Sequence, residues 1–216
     1  SCGWLGEETA SVSAADSAFW VVDPHDATRD FMSGLRGSAV SVALLESGQP
    51  ILGVVFAPTA PDDHGDLFAW AQGGIVTRNG LPSRPNANWN APVVALNADA
   101  ADYAEHNHAA LPGFRIRAVP SPAYRLALAA AGEVDAALSL TVGLAPWDIA
   151  GGHALLLGAA KLLTDLNGQP ITYRGRGAFL GCIGGDRRLV DALVLARLEK
   201  GRRRAPTPAR PERRTA

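Results

Sequence analysis

One stretch of this sequence carries most of its chemistry. It is FWVVDPHDATRDF, residues 19–31, where an apolar run ends in Asp23 and Asp26, followed by Thr28. A buried strand that stops in Asp-Pro-x-Asp presents one carboxylate from its end and a second from the turn behind it. Pro24 fixes its own φ and has no N–H to give a ladder. The sequence therefore predicts a stiff turn that ends pairing on that side and lets the two carboxylates converge. Carboxylates a few ångströms apart raise each other's pKa unless a cation lies between them. Oxygen donors without imidazole or thiolate companions suit a hard ion, Mg²⁺ or Mn²⁺. Taken alone, Asp-Pro fits a plain turn as well as a ligand set.

Two other segments hold acids in notable places. In APWDIAGGHALLLGAA, residues 145–160, Asp148 stands where an apolar helix begins. Its carboxylate meets the positive end of the helix dipole and can cap the helix or point at a ligand. Gly151 and Gly152 in the first turn cost about 1 kcal/mol each relative to alanine, and close packing against a neighbouring backbone is the simplest reason for them. Near the start, WLGEET places Glu7 and Glu8 together after Gly6. The histidines offer less. His106 and His108, two apart on an expected helix, point about 200° apart at 3.6 residues per turn and read as surface residues. His64 reads as part of a solvated turn and His153 as a packed helix residue, while RGRG (174–177) reads as an exposed loop. There is no G-x-S-x-G, P-loop or G-x-G-x-x-G, so a nucleophilic serine and nucleotide binding through those loops are disfavoured.

The elements that must position these residues follow from periodicity. Strands are expected at 18–22, 39–46, 51–57, 67–71, 92–96, 115–119, 134–140 and 161–165, with a hairpin turn through SGQP after SVALLE. Helices are expected at 99–111, 122–131, 148–160 and 186–199. The second of these has Ser121 as N-cap and Pro122 at its first position. Antiparallel strands in the first half give way to alternating helix and strand in the second, an α+β arrangement leading into α/β. RPNANWNAP (84–92) is the candidate linker, which divides the chain into parts at 1–90 and 91–199. Of the five tryptophans, Trp4, Trp20, Trp70 and Trp147 are expected in the core.

Composition narrows the class. At 216 residues and 47% hydrophobic content the chain can bury a sizeable core, and no run approaches eighteen uninterrupted apolar residues. Membrane insertion and secretion are unsupported. Cys2 and Cys182 form no ligand spacing and no disulfide framework, which fits a cytoplasmic setting. The net charge of −1 hides an asymmetry: residues 200–216 hold seven Lys or Arg against one Glu, net +6, so the remainder carries −7. That Pro-containing basic tail is expected to be disordered, and the acidic body argues against nucleic acid as the main partner.

Together WLGEET (4–9), WVVDPHDATRDF (20–31) and WDIAGGHALLLGAA (147–160) resemble, in that order, the inositol monophosphatase family of Mg²⁺-dependent, lithium-sensitive phosphatases. Its pattern is Gly-Glu-Glu, then Asp-Pro-x-Asp-Gly-Thr, then Trp-Asp-x-Ala-Gly. The resemblance runs from about residue 4 to about residue 183. It implies a layered αβαβα sandwich of the sugar-phosphatase type. It also implies metal ligands at Glu7, Asp23, Asp26 and Asp148, with the backbone carbonyl of His25 adding an oxygen and Glu8 as a neighbour. Thr28 and the N–H groups of Ala27 and Thr28 would hold phosphate and the attacking water. Two or three Mg²⁺ ions, a small phosphorylated metabolite and a homodimer complete the implied picture. The segments GQPILGVVFAP and LNGQPITY look closer to the bisphosphate nucleotidase branch, so inositol monophosphate and 3′-phosphoadenosine 5′-phosphate are both expected substrates. Tyr124 and Arg125 would either contact a second phosphate or adenine or sit on an exposed helical face.

Three departures accompany the resemblance. Ala27 replaces the family's glycine beside the phosphate, where a methyl group crowds the ligand or opposes a positive φ. GAAK (158–161) stands where the family has Glu-Ala-Gly-Gly. In place of the glutamate that contacts sugar hydroxyls shortly before Trp-Asp, the chain offers Ser139 and Thr141. The family's N-terminal helices and water-activating element are expected to be missing ahead of Ser1. The alternative expectation is therefore a catalytically impaired, truncated relative serving as a phosphate-binding or dimerisation scaffold.

Overall fold

The computed structural model describes residues 2–8, 18–84, 90–141, 143–174 and 177–204. The first sheet has seven strands in sequential order: β1 (Gly3–Gly6), β2 (Ala18–Asp26), β3 (Ala39–Glu46), β4 (Gln49–Ala57), β5 (Asp66–Ala71), β6 (Thr77–Arg78) and β7 (Leu81–Pro82). β1 runs parallel to β2 and the other neighbours are antiparallel. The period-2 alternation that marked β3 as a strand appears as burial: Ala39, Ser41, Ala43 and Leu45 face inward, while Val40, Val42 and Leu44 are half-buried on the other face. The expected hairpin is present and turns through Ser47 and Gly48, both at positive φ, the backbone that matches strand twist. A second short hairpin, β6–β7, turns on Asn79-Gly80 in the same way. The Asn-Gly pair was its sequence signal.

β2 corrects one expectation. Pro24 does not end the pairing; the ladder steps from Asp23 opposite Ser41 to Asp26 opposite Ala39. One extra residue on β2 makes a bulge, a place where a sheet tolerates proline, and the strand resumes beyond it.

The second sheet contains β8 (Val93–Leu96), β9 (Arg115–Ala118), β10 (Ala136–Ser139), β11 (Leu162–Thr164) and β12 (Cys182–Gly185), in the order β11-β12-β10-β8-β9. β9, β8 and β10 are parallel, and β12 runs antiparallel between β10 and β11. β12 was not expected, because Cys-Ile-Gly-Gly has little strand propensity. Its glycines are needed for packing instead: a Cβ on Gly184 would lie 2.6 Å from Leu126 Cδ2 and 2.8 Å from Leu156 Cδ1.

Helices fill the space between the sheets and cover the outside of the second. α1 (Thr28–Met32) is one short turn after β2, and α2 (Ala104–Ala110) follows a 3₁₀ turn at Ala98–Ala101, so the single helix expected over 99–111 is split. α3 (Pro122–Ala131) and α4 (Pro146–Gly158) pack on each other between the sheets. α5 (Arg187–Arg204) lies against β11 and β12. Among the described residues the layers are sheet, helices, sheet, helix, the αβαβα sandwich implied by the resemblance without its first helical layer. α5 runs past residue 200, where a disordered tail was expected to begin. Residues 205–216 and the middle of the expected linker, 85–89, lie outside the described residues. Among the described residues no helix is long and apolar enough to cross a membrane.

The glycine pair in α4 is explained by contact distance. A Cβ on Gly151 would lie 2.7 Å from Ser41 Oγ and 3.2 Å from the carbonyl oxygens of Val42 and Val54, and one on Gly152 would lie 2.4 Å from Leu126 Cβ. Across the same contact, a Cβ on Gly53 of β4 would lie 2.4 Å from Ala154 Cβ. α4 therefore presses directly on β3, β4 and α3, and this seating brings its first turn to the end of β2.

Candidate active site

The parallel pairing of β1 with β2 sets Gly6 opposite Val22, and Glu7 N–H donates to Val22 O at 3.3 Å. Glu7 thus leaves its strand beside Asp23, and Glu8 follows it in the same exposed turn. From the other half of the chain, α4 begins at Pro146 with Ala145 as N-cap, so Asp148 is the third helical residue and not the cap expected. Its Oδ2 accepts Ala145 N–H at 2.7 Å, the side-chain arm of a capping box. Ser41 Oγ on β3 donates to Trp147 O at 3.0 Å and ties the start of the helix to the first sheet.

These elements bring three of the predicted acids together. Asp23, Asp26 and Asp148 each offer a carboxylate oxygen, and the three oxygens lie within 4.8 Å of one another. Asp23 Oδ1 accepts His25 N–H at 2.8 Å. Asp26 Oδ2 accepts the hydroxyl of Ser121 and, at 2.9 Å, Ala123 N–H at the head of α3. Burial pushes Asp23 up to about 8, and the charges of Asp26 and Glu7 add to it. Burial pushes Asp26 up to about 7 against the hydrogen bond from Ser121, with Asp148 raising it further. Asp148 rises to about 6, through burial first and the charge of Glu7 among the smaller causes. Buried carboxylates that resist ionising side by side are the donor set a hard divalent cation completes.

The remaining candidates lie around this cluster. Thr28 heads α1, and its hydroxyl donates to His25 O at 2.6 Å. The carbonyl expected to serve as an extra oxygen donor therefore already accepts one hydrogen bond. Ala27 adopts φ 68°, ψ 39°, the left-handed backbone that its methyl group was expected to oppose. A cavity of about 570 Å³ opens here, lined by Asp26, Ala27, Arg29, Asn97, Thr141 and Asp148 among others. Asn97 follows β8 and Thr141 lies just past β10, so the cavity is at the carboxyl ends of parallel strands, where open α/β sheets bind ligands.

Several expectations are corrected. Tyr124 and Arg125 do not lie on an exposed face, since both are buried, although Arg125 lines the cavity at the acid cluster. Tyr124 hydroxyl donates to Asp66 Oδ2 at 3.0 Å. Arg125 donates to Val119 O at 2.6 Å, Pro120 O at 2.7 Å and Ser139 Oγ at 2.7 Å, tying the carboxyl ends of β9 and β10 to α3. Ser121 caps α3 as expected, accepting Tyr124 N–H at 2.9 Å; its bond to Asp26 had no sequence signal. Trp4, Trp20, Trp70 and Trp147 are half-buried, and of these Trp70 and Trp147 pack against the core as expected. His153 is packed as expected, with Nδ1 3.1 Å from the Tyr173 hydroxyl, and burial pushes it down to about 4. His64, His106 and His108 are exposed, and part of RGRG lies outside the described residues.

A model of the inositol monophosphatase family matches residues 2–201. The chain belongs to the inositol monophosphatase family. Among its relatives, a probable inositol 1-monophosphatase, ImpA, of Mycobacterium tuberculosis is 29% identical over 191 residues, covering 82% of this chain and 67% of that protein. The 3′(2′),5′-bisphosphate nucleotidase CysQ of Escherichia coli is 28% identical over 169 residues, covering 75% and 65%. The native crystal structure of the extragenic suppressor protein SuhB from Bartonella henselae superposes with a TM-score of 0.74 at 28% identity, covering 93% of this chain and 76% of that one. The chain spans between 64% and 67% of the length of the first relatives it matches. The structure of inositol monophosphatase from Anabaena (Nostoc) sp. PCC 7120 superposes with a TM-score of 0.74 at 27% identity, covering 92% of this chain and 79% of that one, so the two share a fold.

Proposed function

We propose that the chain is a Mg²⁺-dependent phosphate monoester hydrolase acting on a small sugar or nucleotide phosphate, inositol monophosphate or 3′-phosphoadenosine 5′-phosphate. The observation that carries this reading is the convergence of Asp23, Asp26 and Asp148 to within 4.8 Å from two distant parts of the chain. Their carboxylates, with Glu7 and the carbonyl of His25, would hold Mg²⁺, with Mn²⁺ as a substitute of the same donor preference. A divalent ion bound there supplies charge neutralisation for the phosphate, a lower pKa for water and stabilisation of the leaving oxygen.

The chain's own groups do the rest. Ser121 and Ala123 fix the rotamer of Asp26 and favour its ionised form. Ala145 N–H does the same for Asp148. The Thr28 hydroxyl is oriented by His25 O and keeps its lone pairs for a proton donor such as the attacking water. Ala27 and Thr28 N–H groups at the head of α1 serve the phosphate oxygens. In-line attack by water needs no covalent protein intermediate. The same reading carries a cytoplasmic setting and a homodimer.

The test is phosphate release from inositol 1-phosphate and from 3′-phosphoadenosine 5′-phosphate with Mg²⁺, with and without lithium. Turnover abolished by both Asp23→Asn and Asp148→Asn supports the reading. Turnover that survives either substitution at the wild-type level ends it.

A further inference from the structure

A second cavity, of about 310 Å³, shares no lining residue with the one at the acid cluster. Its walls are apolar. Leu5 of β1, Val21 of β2 and Leu45 of β3 are buried there, as are Pro146 at the start of α4 and Tyr173. The rim carries a cation, the exposed Arg174. Tyr173 N–H donates to Gly48 O at 3.1 Å and Arg174 Nε to Ser47 O at 3.3 Å, which pins this segment to the β3–β4 hairpin. A Cβ on Gly48 would lie 2.5 Å from Arg174 Cγ, so the arginine stem rests on the bare turn. Among the described residues no carboxylate pairs with its guanidinium.

We propose that this cavity is an effector site for a compact apolar carboxylate, one anionic head on a small hydrocarbon or aromatic body, and that its occupancy tightens metal binding at the acid cluster. The second part rests on the acid cluster being the metal site. With Nε held by a backbone carbonyl, the guanidinium keeps its two Nη groups, a planar fork that a carboxylate meets with both oxygens. The volume stands at the bottom of the range for small-molecule sites, about 300–1,000 Å³, which excludes long chains. Polyols are disfavoured, because hydroxyls buried against Leu5, Val21 and Leu45 would lack partners. The coupling follows from the walls. Leu5, Val21 and Pro146 each stand two residues before an acid of the proposed metal site, Glu7, Asp23 and Asp148 respectively. Val21 and Asp23 share the buried face of β2. A ligand that fills the space beside Val21 and Pro146 holds the end of β2 against the first turn of α4, and the convergence of Asp23 and Asp148 depends on that spacing. Holding the acids in place before the ion arrives favours its binding, and the ion favours the ligand in return.

The experiment titrates 3-phenylpropionate, its neutral counterpart 3-phenylpropanamide and acetate into the metal-free full chain at pH 8 by calorimetry. Wild type is compared with Arg174→Gln, Leu45→Phe and Asp23→Asn, each checked for folding by circular dichroism. Wild type is expected to bind 3-phenylpropionate saturably and at least tenfold tighter than the amide or acetate. Arg174→Gln, at an exposed position, should bring the acid down to the affinity of the amide. Leu45→Phe, which fills the cavity, should weaken acid and amide alike by at least tenfold; if it does not fold, Arg174→Gln decides alone. Equal affinity for acid and amide in wild type, or an acid affinity untouched by Arg174→Gln, overturns the site. Saturating 3-phenylpropionate should tighten Mn²⁺ binding to wild type at least threefold, and Mn²⁺ should tighten the carboxylate by the same factor. An unchanged Mn²⁺ affinity overturns the effector role. Asp23→Asn should bind 3-phenylpropionate as wild type does and lose the response to Mn²⁺. A response kept in that variant would put the metal elsewhere and overturn the effector role together with the proposed function, whereas failure of the carboxylate to bind metal-free wild type overturns this site alone.

Discussion

The hydroxyl of Ser121 donates to Asp26 Oδ2 across 95 residues of sequence. This bond and the Ala123 N–H make the head of α3, from the second half of the chain, the support for an acid that the first half supplies. Ser121→Ala removes that bond and the helix cap together. A cap is worth about 1 kcal/mol and a hydrogen bond to a charged group about 1.5–3 kcal/mol, so urea unfolding at pH 8 should show a loss of about 2.5–4 kcal/mol. Ser121→Thr, which keeps the hydroxyl, should recover most of it.

Ala27 occupies the left-handed region at φ 68°. That conformation costs an L-residue about 1–2 kcal/mol, while glycine adds back chain entropy to the unfolded state worth about 0.4–1 kcal/mol. Ala27→Gly should therefore stabilise the protein by about 0.5–1 kcal/mol in denaturant unfolding. A loss of stability would show that the methyl group makes contacts that outweigh the strain.

The acid cluster sets a pH dependence with a definite sign. The folded pKa values of Asp23, Asp26 and Asp148, about 8, 7 and 6, lie above the ordinary value of 3.8. The folded state thus binds more protons than the unfolded state between pH 4 and pH 8, and stability falls as pH rises through that window. This contribution is fully present below pH 4 and lost above pH 8. Metal-free protein should show a melting temperature that declines from pH 5 to pH 8, and saturating Mg²⁺ should raise it far more at pH 8 than at pH 5. A Mg²⁺ effect independent of pH would contradict the assignment of these shifts to the cluster.

Gly151 leaves no room for a side chain, since its Cβ would meet Ser41 Oγ at 2.7 Å and two backbone oxygens at 3.2 Å. Overpacking of this kind costs about 1–3 kcal/mol. Because the obstacle is partly β3 and β4 backbone, relief must come from lifting α4, which carries Asp148 away from Asp23. Gly151→Ala should lower both stability and Mg²⁺ affinity. Gly73→Ala, at a glycine with open space around it but with φ 84°, should cost stability alone.

What could be read from the sequence was what depends on local pattern. The alternation in AVSVALLE, the Ser121-Pro122 start of α3 and the Asp-Pro-x-Asp spacing each have a local cause, and each appears in the structure with small shifts in boundary. The bulge at Pro24 was missed because proline in a strand argues for an end unless an extra residue absorbs it. β12 was missed because its glycines answer to the helices above it, not to strand propensity. The bond from Ser121 to Asp26 and the burial of Arg125 depend on tertiary placement, which no spacing in PAYRLALAAA reveals.

The central claim is that Asp23, Asp26 and Asp148 together hold a divalent cation. The most direct measurement is calorimetric titration of Mn²⁺ into wild type and into the Asp23→Asn, Asp26→Asn and Asp148→Asn variants at pH 8, with folding verified for each. The account predicts saturable binding to wild type and a loss of at least tenfold in affinity from every one of the three substitutions. Wild-type affinity retained in any of the three variants would contradict it.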